Sequence, residues 1–92
     1  MINGLDTVVA ASEDTVFREL DGQSVLLNLA TGMYFGLDAV GTRVWQLLEA
    51  DPDVQAAFAA LAGDYDVDAA QLEADLLALL RQLADAGLIA IE

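Results

Sequence analysis

The sequence predicts an α+β domain, a three-stranded antiparallel sheet followed by three helices, and three observations carry that prediction. Extended runs rich in Val, Phe and Leu fill residues 15–37 and are broken only at Asp21-Gly22 and Ala30-Thr31-Gly32. From Asp38 onward the apolar residues recur at helical spacing, and acidic cap residues recur with them at Asp38, Asp51 and Asp68. The chain has 92 residues, a single domain's worth, enough to bury roughly 60–65% of its unfolded surface without staples.

Taken in order, residues 1–14 have weak periodicity and read as a lead-in, with a turn pair at Asn3-Gly4 and an extended stretch from Thr7 to Ala11. The first strand is Thr15 to Leu20. Asp21-Gly22 then suits a two-residue hairpin, because both central residues must reach positive φ, and Ser24 to Leu29 pairs back antiparallel. After the second reversal Met33 to Leu37 completes the meander. This third strand, MYFGL, is apolar on both faces, whereas a strand with one solvated face alternates. Either both faces are covered, or one face or edge awaits something. Gly36 within it marks a bulge or bend, or a place where another backbone comes close.

Asp38 caps a first helix over residues 39–50, with Val40, Val44, Leu47 and Leu48 as its inward stripe, Trp45 as a core anchor on its flank and Gly41 packed closely on the sheet. Asp51-Pro52-Asp53 starts a second helix over residues 52–62, with cap, proline at the first position and an acid in the first turn. It turns Val54, Phe58 and Leu61 inward and stops at Gly63. Asp68 and Gln71 have capping-box spacing before a third helix over residues 69–86, about 27 Å long. Gly87 ends it, and Leu88 to Ile91 returns as a short extended tail. On this last helix Leu72, Leu76, Leu79 and Leu83 fall within about 60° of arc and form the expected core stripe. Leu77 and Leu80 lie off that stripe, beside Glu73 and Arg81. Either another element covers them, or they line an exposed apolar groove rimmed by charge.

Composition removes whole classes of chemistry. With no cysteine and no histidine, thiol nucleophiles, imidazole bases, disulfides and the usual zinc sets are absent. Sixteen acids face only Arg18, Arg43 and Arg81, for a formal net charge of −13. Such a surface repels nucleic-acid phosphates and anionic lipid and favours a cationic partner. No stretch approaches the roughly 18 apolar residues of a membrane span, so the expectation is a soluble, cytoplasmic protein. Yet 57% of the residues are hydrophobic, a high share for so acidic a chain, and apolar surface awaiting a partner fits that pairing.

No constellation for catalysis stands out. Asp64, Asp66 and Asp68 alternate in a loop, but the glycine and distal glutamate of a calcium-binding hand are missing. Ser12 and Ser24 are the only serines, neither in a nucleophile elbow, and no glycine-rich phosphate loop is present. An acyl carrier would start a helix with an arm-bearing serine; here the helix starts read LDAV, DPDV and DVDA. Strands followed by three helices also fit a winged helix-turn-helix, but the last helix has only Gln71, Arg81 and Gln82 to offer base edges, set among Glu73, Asp75 and Asp85. The expectation is no enzyme, no cofactor and no metal.

Leu27-Asn28, Ala30-Thr31-Gly32, Tyr34-Phe35, Leu37-Asp38, Gly41, Val44-Trp45, Leu47-Leu48, Tyr65-Asp66-Val67, Asp75-Leu76, Leu83 and Gly87-Leu88-Ile89, in that order and spacing, resemble the PqqD-like group, also called RiPP recognition elements. Within it the chain is most similar to the small stand-alone proteins of lasso-peptide biosynthesis. The resemblance runs from about Thr15 to Ile91 and implies a winged-helix domain that binds the leader segment of a ribosomally made precursor peptide. The leader would add as an antiparallel strand beside the third strand, in the groove it forms with the third helix. On that basis the peptide-binding residues expected are Met33, Tyr34, Phe35, Gly36 and Leu37 on the strand and Glu73, Leu77, Leu80 and Arg81 on the helix. The partners implied are the precursor, a separate leader peptidase and a cyclase; the alternative is an acidic adaptor or oligomerisation module that shares only the fold.

Overall fold

A computed structural model describes residues 8–91. Its meander is β2 (Thr15–Leu20), β3 (Gln23–Asn28) and β4 (Tyr34–Leu37), all antiparallel in the order β2-β3-β4. Three helices follow: α1 (Ala39–Ala50), α2 (Val54–Asp64) and α3 (Ala69–Asp85). A second small sheet joins β1 (Val9–Ala11) to β5 (Ile89–Ile91), antiparallel, so the lead-in and the tail hold each other. The extended readings near both ends are met there; Asn3, Gly4 and Thr7 lie outside the described residues.

Local chemistry sets the turns. Asp21 and Gly22 both take positive φ, 55° and 81°, as the two-residue hairpin demands. At the second reversal Gly32 does so at 76°, while the Asn28 side chain accepts from the Ala30 N–H at 2.9 Å. That capture pulls Leu29 out of the strand, so β3 runs from Gln23 to Asn28 and not to Leu29. Met33 precedes β4 and does not belong to it, although its carbonyl still accepts from the Asn28 N–H at 2.8 Å. Gly36 pairs with Val25 in regular register, so it makes no bulge.

The sheet lays one face on the helices. Phe17, Leu26, Phe35 and Leu37 face inward, and Phe17 stacks on Trp45 with ring centroids 6.2 Å apart. Trp45 is 4% exposed, a core residue as expected. α1 buries Gly41, Thr42, Val44, Trp45 and Leu48. Val40, expected on that stripe, is exposed, because Gly41 and Thr42 take the sheet contact. A Cβ on Gly41 would sit 3.1 Å from Leu37 Cδ2, which is the close packing its sequence position suggested. The Ser24 and Thr42 hydroxyls meet at 2.7 Å in the core and join β3 to α1.

Two helix starts differ from expectation. Asp53, rather than Asp51, caps α2, accepting from the Gln55 N–H at 3.0 Å. Pro52 therefore stands outside the helix, which continues through Gly63 to Asp64; Phe58 is half-buried and Ala57 takes a core position. Asp68 caps α3, but Gln71 does not close the box, since its amide donates forward to Asp75 at 2.9 Å.

The α3 core stripe is Leu72, Leu76, Leu80 and Leu83. Leu80 is 0% exposed, and Leu79, expected in that stripe, is half-buried on its margin. The four buried leucines span about 80° of arc, so the stripe is rotated toward Leu80 relative to the one centred on Leu72 and Leu83. The neighbours that fix this rotation are α2 and β5, both packed against α3.

Candidate peptide-binding cleft

β4 is hydrogen-bonded to β3 on one side and, among the described residues, to no strand on the other. In an antiparallel ladder, residues with backbone groups turned to the neighbour alternate with residues turned away. The Asn28 N–H to Met33 C=O bond sets that alternation: Met33, Phe35 and Leu37 turn to β3, and Tyr34 and Gly36 turn their N–H and C=O to the open edge. No lysine, proline or bulge blunts this edge, the devices by which exposed edges are ordinarily kept from pairing.

Across from the edge stands α3. A cleft of about 460 Å3 lies between them, lined by Phe35, Gly36 and Leu37 of β4, by Asp38, Val40 and Gly41 where α1 begins, and by Asp75, Leu79 and Gln82 of α3. The two walls run in opposite directions. Asn28 fixes this, since its side chain donates to the Gly87 carbonyl at 3.2 Å beyond the C-terminal end of α3 while its backbone holds Met33. Gln82 is therefore near the start of β4 and Asp75 near its Leu37 end. Past Val40, Asp75 and Leu79 the cleft meets a second, mainly apolar pocket of about 190 Å3 between α1, Tyr65, Val67 and α3.

Of the strand residues expected at the site, Phe35, Gly36 and Leu37 line the cleft, whereas Met33 and Tyr34 do not. Met33 and Tyr34 are 63% and 76% exposed, Phe35 is half-buried and turned inward, Gly36 is exposed, and Leu37 is buried in the cleft's floor. A Cβ on Gly36 would meet nothing within 4 Å, so packing does not require a glycine there.

The helix residues expected at the site are not brought there. Leu80 is in the core. Glu73 and Arg81 are exposed and Leu77 is half-buried against the core, and none of the three lines the cleft. The reason is angular: with the stripe centred on Leu76, Asp75, Leu79 and Gln82 fall on one flank, and Glu73, Leu77 and Arg81 on the other, roughly 100° or more away from them. The sequence places Leu79 in the core stripe and so does not point to Asp75, Leu79 and Gln82 as lining residues. Placing β4 beside α3 would have found them, and the sequence offers no local signal for that.

The family model of coenzyme PQQ synthesis protein D (PqqD) matches residues 23–89. The solved structure of TbiB1 in complex with the TbiA(beta) leader peptide is similar to this chain at 43% identity, with a TM-score of 0.81 over 86% of this chain and 92% of that one. A lasso peptide synthetase B1 complexed with the leader peptide is 22% identical, with a TM-score of 0.80 over 89% of this chain and 96% of that one. No curated protein matches. The architecture is thus the α+β, winged helix-turn-helix arrangement of these solved chains.

Proposed function

Because this chain belongs to the PqqD family, we propose that it binds the leader segment of a ribosomally synthesised precursor peptide as an added strand on β4 and presents it to a separate maturation enzyme of lasso-peptide biosynthesis. The observation that carries this reading is the unpaired edge of β4 facing α3 across a cleft, in a chain 43% identical to one whose solved structure holds a leader peptide. An extended peptide there would satisfy the free N–H and C=O groups of Tyr34 and Gly36, and backbone bonds of that kind supply affinity without reading sequence. Sequence would be read by side chains turned toward Phe35, Leu79 and Gln82, and by an apolar residue reaching the pocket beyond Val40.

The whole chain acts in this reading as one recognition unit with no turnover of its own. Its partners are the precursor, a leader peptidase and a cyclase, met in the cytoplasm where precursors are made. Among the described residues no helix is long and apolar enough to cross a membrane. The test is a titration, followed by anisotropy, of the protein with labelled leader and core halves of its precursor. Submicromolar binding of the leader half alone is the expected result. Binding of neither half would sink the leader-binding role and leave an acidic adaptor, whose ligand would be another protein.

A further inference from the structure

The cleft's walls carry charge of one sign only. Asp75 enters from α3 and Asp38 from the start of α1, both toward the Leu37 end of β4. Asp38 is partly committed, since one of its oxygens caps α1 by accepting from the Gly41 N–H at 2.8 Å. Asp75 accepts from Gln71 through one oxygen only, which leaves the other available. Among the described residues no arginine forms an ion pair with either carboxylate. Arg43 is held by Asp64 at 3.1 Å, and Arg81 is on the far flank of α3. Arg18, although it shares a recess on the outer face of the sheet with Gly36, Leu37 and Asp38, does not line the cleft and makes no ion pair with Asp38. A carboxylate of the bound peptide placed between Asp75 and Asp38 would therefore meet two like charges without a paired cation, in a protein already at −13.

We propose that Asp75 is a specificity residue, which selects leaders carrying a lysine or arginine at the position that lies beside Leu37 when the peptide pairs with β4. This rests on the leader-binding reading and adds to it the chemical class of one leader side chain. The cation sits between Asp75 and Asp38, while the adjoining apolar surface of Val40 and Leu79 packs its methylene stem. A partly desolvated pair of this kind discriminates by a modest factor, roughly five- to tenfold on removal of the carboxylate. Discrimination grows when the peptide charge is reversed, because like charges then face each other.

The test uses the full chain and its labelled leader peptide, with each leader lysine and arginine changed singly to glutamate. One position is expected at which that change weakens binding at least tenfold to the unmodified chain. Asp75→Lys is expected to weaken binding of the unmodified leader and to restore that one glutamate peptide, leaving the others unrescued. Asp75 is exposed, and a thermal melt of Asp75→Lys checks that the fold is kept. A leader that binds but has no basic residue, or whose glutamate variants bind alike or show no rescue, would overturn charge selection and leave leader binding intact. Failure of the unmodified leader to bind would take down the leader-binding reading and this inference with it.

Discussion

Gly36 is the residue at which the fold and the proposed function ask for different side chains. Stability favours replacing it: the space above it is open, and a glycine inside a strand costs roughly 0.5–1 kcal/mol relative to alanine. An added strand favours keeping it, because the neighbouring peptide side chain would lie over this position. Gly36→Val is therefore expected to leave the urea midpoint unchanged or raised, and to weaken leader binding at least tenfold in the same preparation. Undiminished binding would mean that the peptide does not run beside Gly36. On α3 the two flanks are separable in the same way. Leu80→Ala should cost about 2–5 kcal/mol of unfolding free energy, as for a fully buried leucine. Glu73→Ala and Arg81→Ala should leave leader affinity within about twofold, since neither side chain lines the cleft.

At the scale of elements, the cleft exists because α1 is fixed to the sheet where β4 ends. The Ser24–Thr42 hydroxyl pair is the polar part of that attachment. Thr42→Val leaves the Ser24 hydroxyl buried without a partner and is expected to cost about 1–3 kcal/mol, whereas adding Ser24→Ala should recover most of the loss. Urea unfolding of the two single variants and the double one measures the coupling. What was legible in the sequence at this scale follows from locality. Asp21-Gly22, Gly32, Asp38 and Asp68 act on backbone within a few residues, and each turn or helix start they predict is present. The rotation of α3 was not legible. Six leucines between Leu72 and Leu83 satisfy more than one stripe, and the choice between Leu79 and Leu80 falls to α2 and β5, which are distant in sequence or placed only by folding. The same non-locality hides Asp75 and Gln82, whereas Phe35, Gly36 and Leu37 of the cleft fall within MYFGL, whose apolar run is a local signal.

For the whole molecule the governing quantity is charge. Sixteen acids on a chain of 9.7 kDa repel one another in the folded state, and the repulsion is screened over about 10 Å at 0.1 M salt. Raising salt from about 0.02 to 0.5 M should therefore increase the melting temperature while weakening a basic leader, two opposite responses from one cause. A salt-independent dissociation constant would show that the acidic surface does not steer the peptide, whatever holds it in the cleft.

Trp45 makes these measurements separable. It is the chain's single tryptophan, its indole N–H has no hydrogen-bond partner in the core, and it is absent from the lining of the cleft. Its emission should be blue-shifted in the native protein and should move to the red only when the Phe17 stack comes apart. Intrinsic fluorescence thus reports unfolding and stays silent on peptide addition, so every variant above can have its stability followed by its own light while a labelled leader reports binding in the same cuvette.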